Sequence, residues 1–505
     1  KALQESVEKA AGMEKISVPL LTFKADRLHK KNARHPFIDR NSLIMLGDHV
    51  TADTGTGAVH TAPGHGVDDY RIGLKYGLPV FAPVDPKGKF TDEFAEFKGQ
   101  FVFKANEPII QKLKDSGHLL SRTDIQHSYP HCWRCNSPVI FRATPQWFIG
   151  MESRGGVGPN LRKEALEAIP TVNWIPSWGI NRIQSMVESR PDWCISRQRS
   201  WGVPITAFYC ETCDEAKADA SVFEHLANEI QSRGVDIWFT EPVEKLIPKN
   251  SKCGKCSGTK FRKEKDILDV WFDSGVSHAA VCEERELGWP AELYLEGSDQ
   301  HRGWFQASLL TAVATRHRAP FKTVLTHGFV NDAQGKKMSK SKGNVTSPLE
   351  IMKTHGGDIL RFWVVLEDYR NDLNFSKESL ERVSESYRKI RNTVRFLLGN
   401  LNDFDPQKDS VGAPQMGDLD LWALSRAATV LETVAKAYEN YEFHIVYQQV
   451  INFCVVDLSA IYFDILKDRL YTAGKRSFER RSSQTALYLI SSALVRALAP
   501  ILSFT

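Results

Sequence analysis

LYLEGSDQHRGWF at 293–305 and GKKMSKSKGN at 335–344 are the stretches from which the rest of the chain can be read. In the first, the apolar run Leu293-Tyr294-Leu295 leads into Glu296, Gly297, Asp299, Gln300, His301 and Arg302. Trp304-Phe305 then opens an apolar run to about Thr315. This is the pattern of a strand, a polar turn and a helix. It puts the polar groups at the carboxyl end of a strand, where open α/β sheets bind ligands. In the second, Gly335 and Gly343 bracket Lys336, Lys337, Lys340 and Lys342 with Ser339 and Ser341, and only Met338 is apolar. A glycine-hinged loop with that much positive charge suits a polyphosphate whose negative charge grows as a bond breaks. On composition alone it is equally a solvated basic surface loop.

The neighbouring motifs favour the first reading. GTGAVHTAPGHGVDDY at 55–70, DWCISRQRSWGVP at 192–204 and DILDVWFDSGVSH at 266–278 precede the two stretches. In that order and spacing, and over nearly the whole chain, the sequence resembles the class I aminoacyl-tRNA synthetases of the isoleucine type. The resemblance implies an α/β fold. Residues 146–375 would be the second half of a Rossmann-like catalytic domain, with a zinc-knuckle insertion at about 205–265 and the KMSKS loop at 337–341. Residues 1–145 would be the later part of a mostly-β editing insertion, and 376–505 the first part of an α-helical anticodon-binding domain.

The same resemblance implies an isoleucine-tRNA ligase that uses ATP and Mg2+, forms isoleucyl-adenylate, charges tRNA(Ile) and hydrolyses misattached valine. Glu296 would contact the adenylate, with Gly297, Asp299 and Gln300 beside it. Lys337, Met338, Ser339, Lys340 and Ser341 would form the catalytic loop, with Lys340 at the ATP phosphates. His327, at the end of the strand-like VLTHGF, could face the nucleotide. His60 and Asp69 match residues that line the editing pocket. Such a pocket has a physical purpose, because a hydrophobic site separates side chains one methylene apart by only about 1–3 kcal/mol, a value established on enzymes of this same family. His-x-Gly-His, which the family carries far upstream, occurs nowhere here. The chain is therefore expected to be an internal fragment, inactive in activation by itself and part of a cytoplasmic monomer.

Totals set outer bounds. The 505 residues suit about three domains, with 42% hydrophobic and 25% charged residues. No apolar run is expected to span a membrane. A net charge of +4 does not announce nucleic acid, so a tRNA partner must be argued from local basic faces.

Six of nine cysteines fall in C-x-x-C pairs. Cys210, Cys213, Cys253 and Cys256 supply four thiolates, the closed tetrahedral set of a structural zinc, with reduced unliganded cysteines as the alternative. Cys132 and Cys135 have ligand spacing but no second pair nearby, so a second zinc and a buried, unliganded pair both stay open. Cys194, Cys282 and Cys454 read as small buried residues.

The runs LIMLGDHV, GAVHTAP and LPVFAPV at 43–50, 57–63 and 78–84 read as strands. Trp147, Trp174, Trp178, Trp193 and Trp201 read as core rather than a base-stacking platform, and Arg197 and Arg199 as candidates for tRNA phosphate. Trp271 and Asp273 read as structural or as pocket wall. Beyond about 376 the period is helical: Leu380, Val383, Tyr387, Ile390, Val394 and Leu397, then Leu421, Leu424, Ala428 and Leu431, then Phe443, Val446, Val450 and Phe453. Arg388, Lys389, Arg391 and Arg395 give the first of these helices a basic stripe or a solvated face. Two other function classes remain, a stand-alone editing deacylase and a non-catalytic zinc- and tRNA-binding protein. The intact lysine loop argues against both.

Overall fold

The computed structural model describes residues 4–14, 18–51, 56–132, 135–153, 158, 160–339 and 343–505. The chain packs as two units, Lys1–Gln146 and Trp147–Thr505.

The first unit has little regular structure. Its helices are Gln4–Ala10, Val67–Tyr76 and Asn106–Asp115, and Asn32–Arg34 pairs antiparallel with Asn41–Leu43. Of the three runs read as strands, only Leu43 lies in a strand and only Val84 in an isolated bridge, with Phe90. Strand-prone composition needs a pairing row, and among the described residues these runs find almost none.

The second unit is built on a parallel three-stranded sheet. Phe321–His327 lies in the middle, with Ala291–Gly297 on one side and Asn173–Ile175 on the other. The helix Trp304–Arg316 follows the first strand with Phe305 through Val313 all buried, as an α/β crossover against a sheet requires. Tyr294 stacks on Trp304 with ring centroids 3.9 Å apart. Trp174 and Trp193 are core, as read, but Trp201 is 92% exposed. The cysteine-bearing insertion has a small core of its own around Phe208, Leu226, Trp238 and Leu246.

The carboxy-terminal part is a helical bundle: Lys377–Gly399, Asp418–Glu439, a continuous helical run Phe443–Tyr471, and Phe478–Leu498. Ser376 and Ser379 form a reciprocal capping box at the start of the first helix. Its buried face is the expected one, with Leu380, Val383, Ile390 and Leu397 inside. The second helix is rotated from expectation. Ala423, Ala427, Val430 and Val434 are buried, whereas Ala428 is exposed. Its alanines and valines face the core shared with Phe443–Tyr471 and Phe478–Leu498, so packing and not hydrophobicity chose the face.

The run Phe443–Tyr471 is, by length and composition alone, apolar enough to cross a membrane, contrary to the reading above. Val446, Val450, Phe453, Cys454, Leu458 and Tyr462 instead pack into the bundle core. That is how a core helix meets the same test.

Candidate active site and metal centre

The site begins where the two long parallel strands end together, with Gly297 in register with His327. A Cβ placed on Gly297 would stand 3.0 Å from Asp299 Oδ1, 3.4 Å from the Phe329 ring and 3.7 Å from the His327 ring. Three side chains thus converge on a position kept open by the lack of one. Glu296 is exposed beside them, and its Oε2 accepts from the Gly297 N–H at 3.4 Å. Gln300 Oε1 accepts from the Trp304 N–H at 2.9 Å, so it caps the following helix as well as bordering the site. His301 is fully buried between Trp174, Trp178 and Phe305, and its Nδ1 lies 3.1 Å from the Ser298 carbonyl. Burial holds its pKa below the ordinary value.

Gly328 ends the central strand against other backbone. A Cβ there would lie 2.2 Å from the Asn371 carbonyl oxygen, so only glycine fits. Val330–Asn331 then pairs in parallel with Leu373–Asn374, and Asn331 bridges to Lys337. The lysine loop is thereby hung from the strand end. Lys337 Nζ sits 5.5 Å from the centre of the Phe329 ring, the same ring whose edge faces Gly297. Met338 packs against the core of the helical bundle. Ser339 donates its N–H to Asn344 Oδ1 at 2.9 Å. Lys340 and Ser341, named from the sequence, lie outside the described residues. The 290 Å³ hollow among Ile149, Trp193, Phe272, His278 and Leu310 is lined by other residues.

In DVWFDSG the organising residue is Asp269, which the sequence did not single out. Nearly fully buried, it caps the helix Val270–Gly275 by accepting the Trp271 N–H at 3.2 Å. Its other oxygen accepts from the Trp193 indole at 3.2 Å and from Arg197 Nη2 at 2.9 Å. Arg197 also donates to the Cys194 and Ser196 carbonyls. Arg197 is thus a structural clamp on this turn. The helix it steadies lays Trp271 within 2.8 Å of where a Gly303 Cβ would be, which makes Trp271 a wall beside Gln300. Burial raises the Asp273 carboxyl above its ordinary value, with the Asp269 charge adding to it.

The insertion brings Cys210, Cys213, Cys253 and Cys256 together. All four sulfurs lie within 4.8 Å of one another, and the pairs 210/256 and 213/253 are 3.5 Å apart. A tetrahedron of thiolates around zinc spaces its sulfurs by about 3.8 Å. Each pair is folded the same way. Asp214 (φ 57°) and Ser257 (φ 60°) follow the second cysteines in left-handed conformations, and their N–H groups return to the Cys210 and Cys253 carbonyls. The Thr212 N–H is the main reason the Cys210 thiol is pushed down to about 6, and the Cys256 and Lys255 N–H groups lower Cys253. Cys213 is instead pushed up to about 12, the Glu215 N–H that lowers it being outweighed by the neighbouring thiols. Four crowded thiols that cannot all ionise alone are what a divalent cation would ionise together, and the set fits zinc.

In the first unit, the residue after Cys135 repeats one feature of those turns. Asn136 has φ 54° and returns its N–H to the Cys132 carbonyl at 2.8 Å, as its counterparts do. Among the described residues, the four-cysteine set is the one group of three or more that could hold a metal. Asp69 lies in the first turn of the helix Val67–Tyr76, and its Oδ2 accepts from the Ala62 N–H at 3.2 Å. His60 is exposed on the same segment, with His35 near enough for their charges to interact.

Residues 14–376 match the model of the tRNA synthetases class I (I, L, M and V), and residues 420–505 match that of the anticodon-binding domain of tRNA ligase. An isoleucine–tRNA ligase of Syntrophotalea carbinolica is 55% identical over 504 residues, covering 100% of this chain and 54% of the relative. One of Geobacter sulfurreducens is 54% identical over 96% of this chain and 52% of the relative. The chain thus spans about half the length of the curated relatives it matches. The fold is also that of Mycobacterium tuberculosis methionyl-tRNA synthetase, solved in complex with methionyl-adenylate. It has a TM-score of 0.52 and 15% identity, over 88% of this chain and 83% of that one. On the family model over residues 14–376 and on relatives more than half identical over the whole chain, this chain belongs to the class I tRNA synthetases of the I, L, M and V group.

Proposed function

We propose that the chain carries the strand-end and lysine-loop side of an isoleucine–tRNA ligase, which activates isoleucine with magnesium-bound ATP and transfers it to tRNA(Ile). The observation that carries this is the convergence of Lys337, Phe329, His327, Asp299 and Gly297 at two parallel strand ends. A carboxylate oxygen of the amino acid attacks the α-phosphorus, the bond to the β-phosphate oxygen breaks, and pyrophosphate leaves with the electron pair. Little covalent work falls to the protein, so positioning and charge neutralisation do most of it. In this reading Gly297 leaves room for the adenylate, with Glu296, Asp299, Gln300 and His327 around it. Lys337 and Lys340 meet the phosphates, with Met338, Ser339 and Ser341 completing their loop. Trp271 walls the amino-acid side.

Two further assignments belong to the same reading. Zinc held by Cys210, Cys213, Cys253 and Cys256 would cross-link the two turns of the insertion and take no part in the reaction, since four protein ligands leave no open position. His60 and Asp69 would serve the hydrolysis of valyl-tRNA(Ile), the neighbourhood of both with the Ala62–Gly66 turn being the support.

The test is amino-acid-dependent ATP–pyrophosphate exchange by the protein extended to the length of its relatives. Isoleucine should support exchange and valine should support it less well. Lys340→Ala should lower kcat steeply with little change in the isoleucine KM, because its contact strengthens as pyrophosphate departs. Absence of isoleucine-dependent exchange, or an indifferent Lys340→Ala, would sink the reading.

A further inference from the structure

The lysine loop poses a problem of its own. Lys336 and Lys337 stand in a segment with Lys340 and Lys342, and like charges so close repel. Two side chains outside the KMSKS motif tie the segment together. Asp332 Oδ1 accepts from the Gln334 and Lys336 N–H groups at 3.0 and 2.8 Å, closing the turn that enters the loop. Its Oδ2 reaches twelve residues ahead, to Asn344 Nδ2 at 2.8 Å. Asn344 uses both ends of its amide. Nδ2 also reaches the Lys337 carbonyl at 3.3 Å, and Oδ1 accepts the Ser339 N–H. The residues entering the loop and those leaving it are thus fastened at one point. Met338 is held from another direction by the bundle core, which leaves Lys337 turned to Phe329.

We propose that Asp332 and Asn344 are positioning residues, a clamp that keeps the lysine loop in register with the strand ends so that its ammonium groups meet the phosphates. This rests on the reaction read above. Neither residue touches Gly297, His327 or Phe329 in any contact described, so both act through the loop. The Asn344 amide, and then the Lys336 N–H, hold the Asp332 carboxyl below its ordinary pKa, so the acceptor stays ionised at neutral pH. A charged group misplaced by about 1 Å at a site of this kind costs up to about a hundredfold in rate.

The donor–acceptor polarity of the clamp gives a specific test. Asp332→Asn keeps an oxygen for the turn but sets an amide NH2 against that of Asn344. Asn344→Asp keeps an acceptor for Ser339 but sets carboxylate against carboxylate. Asp332→Asn/Asn344→Asp together restore one donor and one acceptor with the polarity reversed. In the protein extended to its relatives' length, each single variant should lower kcat for pyrophosphate exchange about tenfold to a hundredfold with the isoleucine KM unchanged. The double variant should recover most of it. Trypsin should cut after Lys336–Lys342 faster in each single variant of the 505-residue chain than in the double. Thermal midpoints should stay alike, because the half-buried clamp fastens a loop and belongs to none of the hydrophobic cores.

If the unsubstituted extended protein exchanges and the single variants exchange equally well, the clamp is wrong and the reaction stands. If the singles are impaired and the double is no better, the residues act separately and the clamp is wrong. If the unsubstituted protein does not exchange at all, the reaction reading fails and the proposal fails with it.

Discussion

Replacing Asp269 with alanine removes the partner of three groups at once. The Trp193 indole N–H would be left unpaired inside the core, which costs about 1–3 kcal/mol. The helix Val270–Gly275 would lose its cap on the Trp271 N–H, about 1 kcal/mol. Arg197 would lose its carboxylate, but its side chain is 42% exposed, so water screens that pair and at most about 1 kcal/mol is assigned to it. Together these predict a loss of about 2–5 kcal/mol, a large part of a typical domain's stability. Asp269→Asn keeps one acceptor oxygen and should lose about half as much.

The assay is urea unfolding of the 505-residue chain, followed by tryptophan fluorescence and far-UV circular dichroism. The same helix lays Trp271 beside Gly303, so the alanine variant of the extended protein should also bind adenylate analogues more weakly. A stability change below about 1 kcal/mol would show that Asp269 does not organise this turn. So would an asparagine variant as damaged as the alanine one, since the hydrogen bonds and not merely the charge carry the effect.

Three other outcomes are expected. Purified chain should carry about one zinc, and Cys253→Ser should lose it and loosen residues 205–265 as read by hydrogen exchange; a metal-free chain with that region fully protected would rule the site out. His278, buried between Thr311 and the Trp289 indole, has its pKa pushed down to about 4 by burial. The unfolded chain then holds this proton more readily than the folded one. Its contribution is complete above about pH 6.5 and fades as pH falls toward 4, by at most about 3 kcal/mol. Urea midpoints across that window should fall, and His278→Asn should flatten part of the slope, with His301 supplying more of it in the same direction. In the extended protein, Asp69→Ala should leave isoleucine activation intact while valyl-tRNA(Ile) accumulates; impaired activation with normal deacylation would overturn the editing assignment.

What the sequence made legible is what local chemistry decides alone. The strand, turn and helix over 291–316 could be read because its apolar run, polar cluster and apolar run have no other economical arrangement. The four cysteines could be read because sulfur at that spacing has few uses. In the second bundle helix, Leu421, Leu424, Ala428 and Leu431 were the expected face, but alanines and valines one position away are buried. Both stripes are apolar, and only the helices packed on them, Phe443–Tyr471 and Phe478–Leu498, distinguish them. The same limit hid Asp269. An aspartate before an apolar helix reads as a cap, and nothing local reports the indole and guanidinium arriving from 193 and 197.

The lysine loop shows where that limit falls within a single motif. Its lysines are visible in the sequence because charge is a property of each residue. Their usefulness depends on where the loop is held, and that is set by groups whose partners are remote. Gly328 must be glycine because the Asn371 backbone passes 2.2 Å from where a side chain would begin. Lys337 has a place to lie because Phe329 follows that glycine, and Met338 has one because the bundle core comes up to it. Catalysis by positioning puts its demands on such supports, since a phosphate-binding ammonium stabilises a transition state only if it is already in place. In the proposed reaction the motif names the groups that meet the substrate. The fold around it, from the Asp332 turn to the edge of the bundle, decides whether they can.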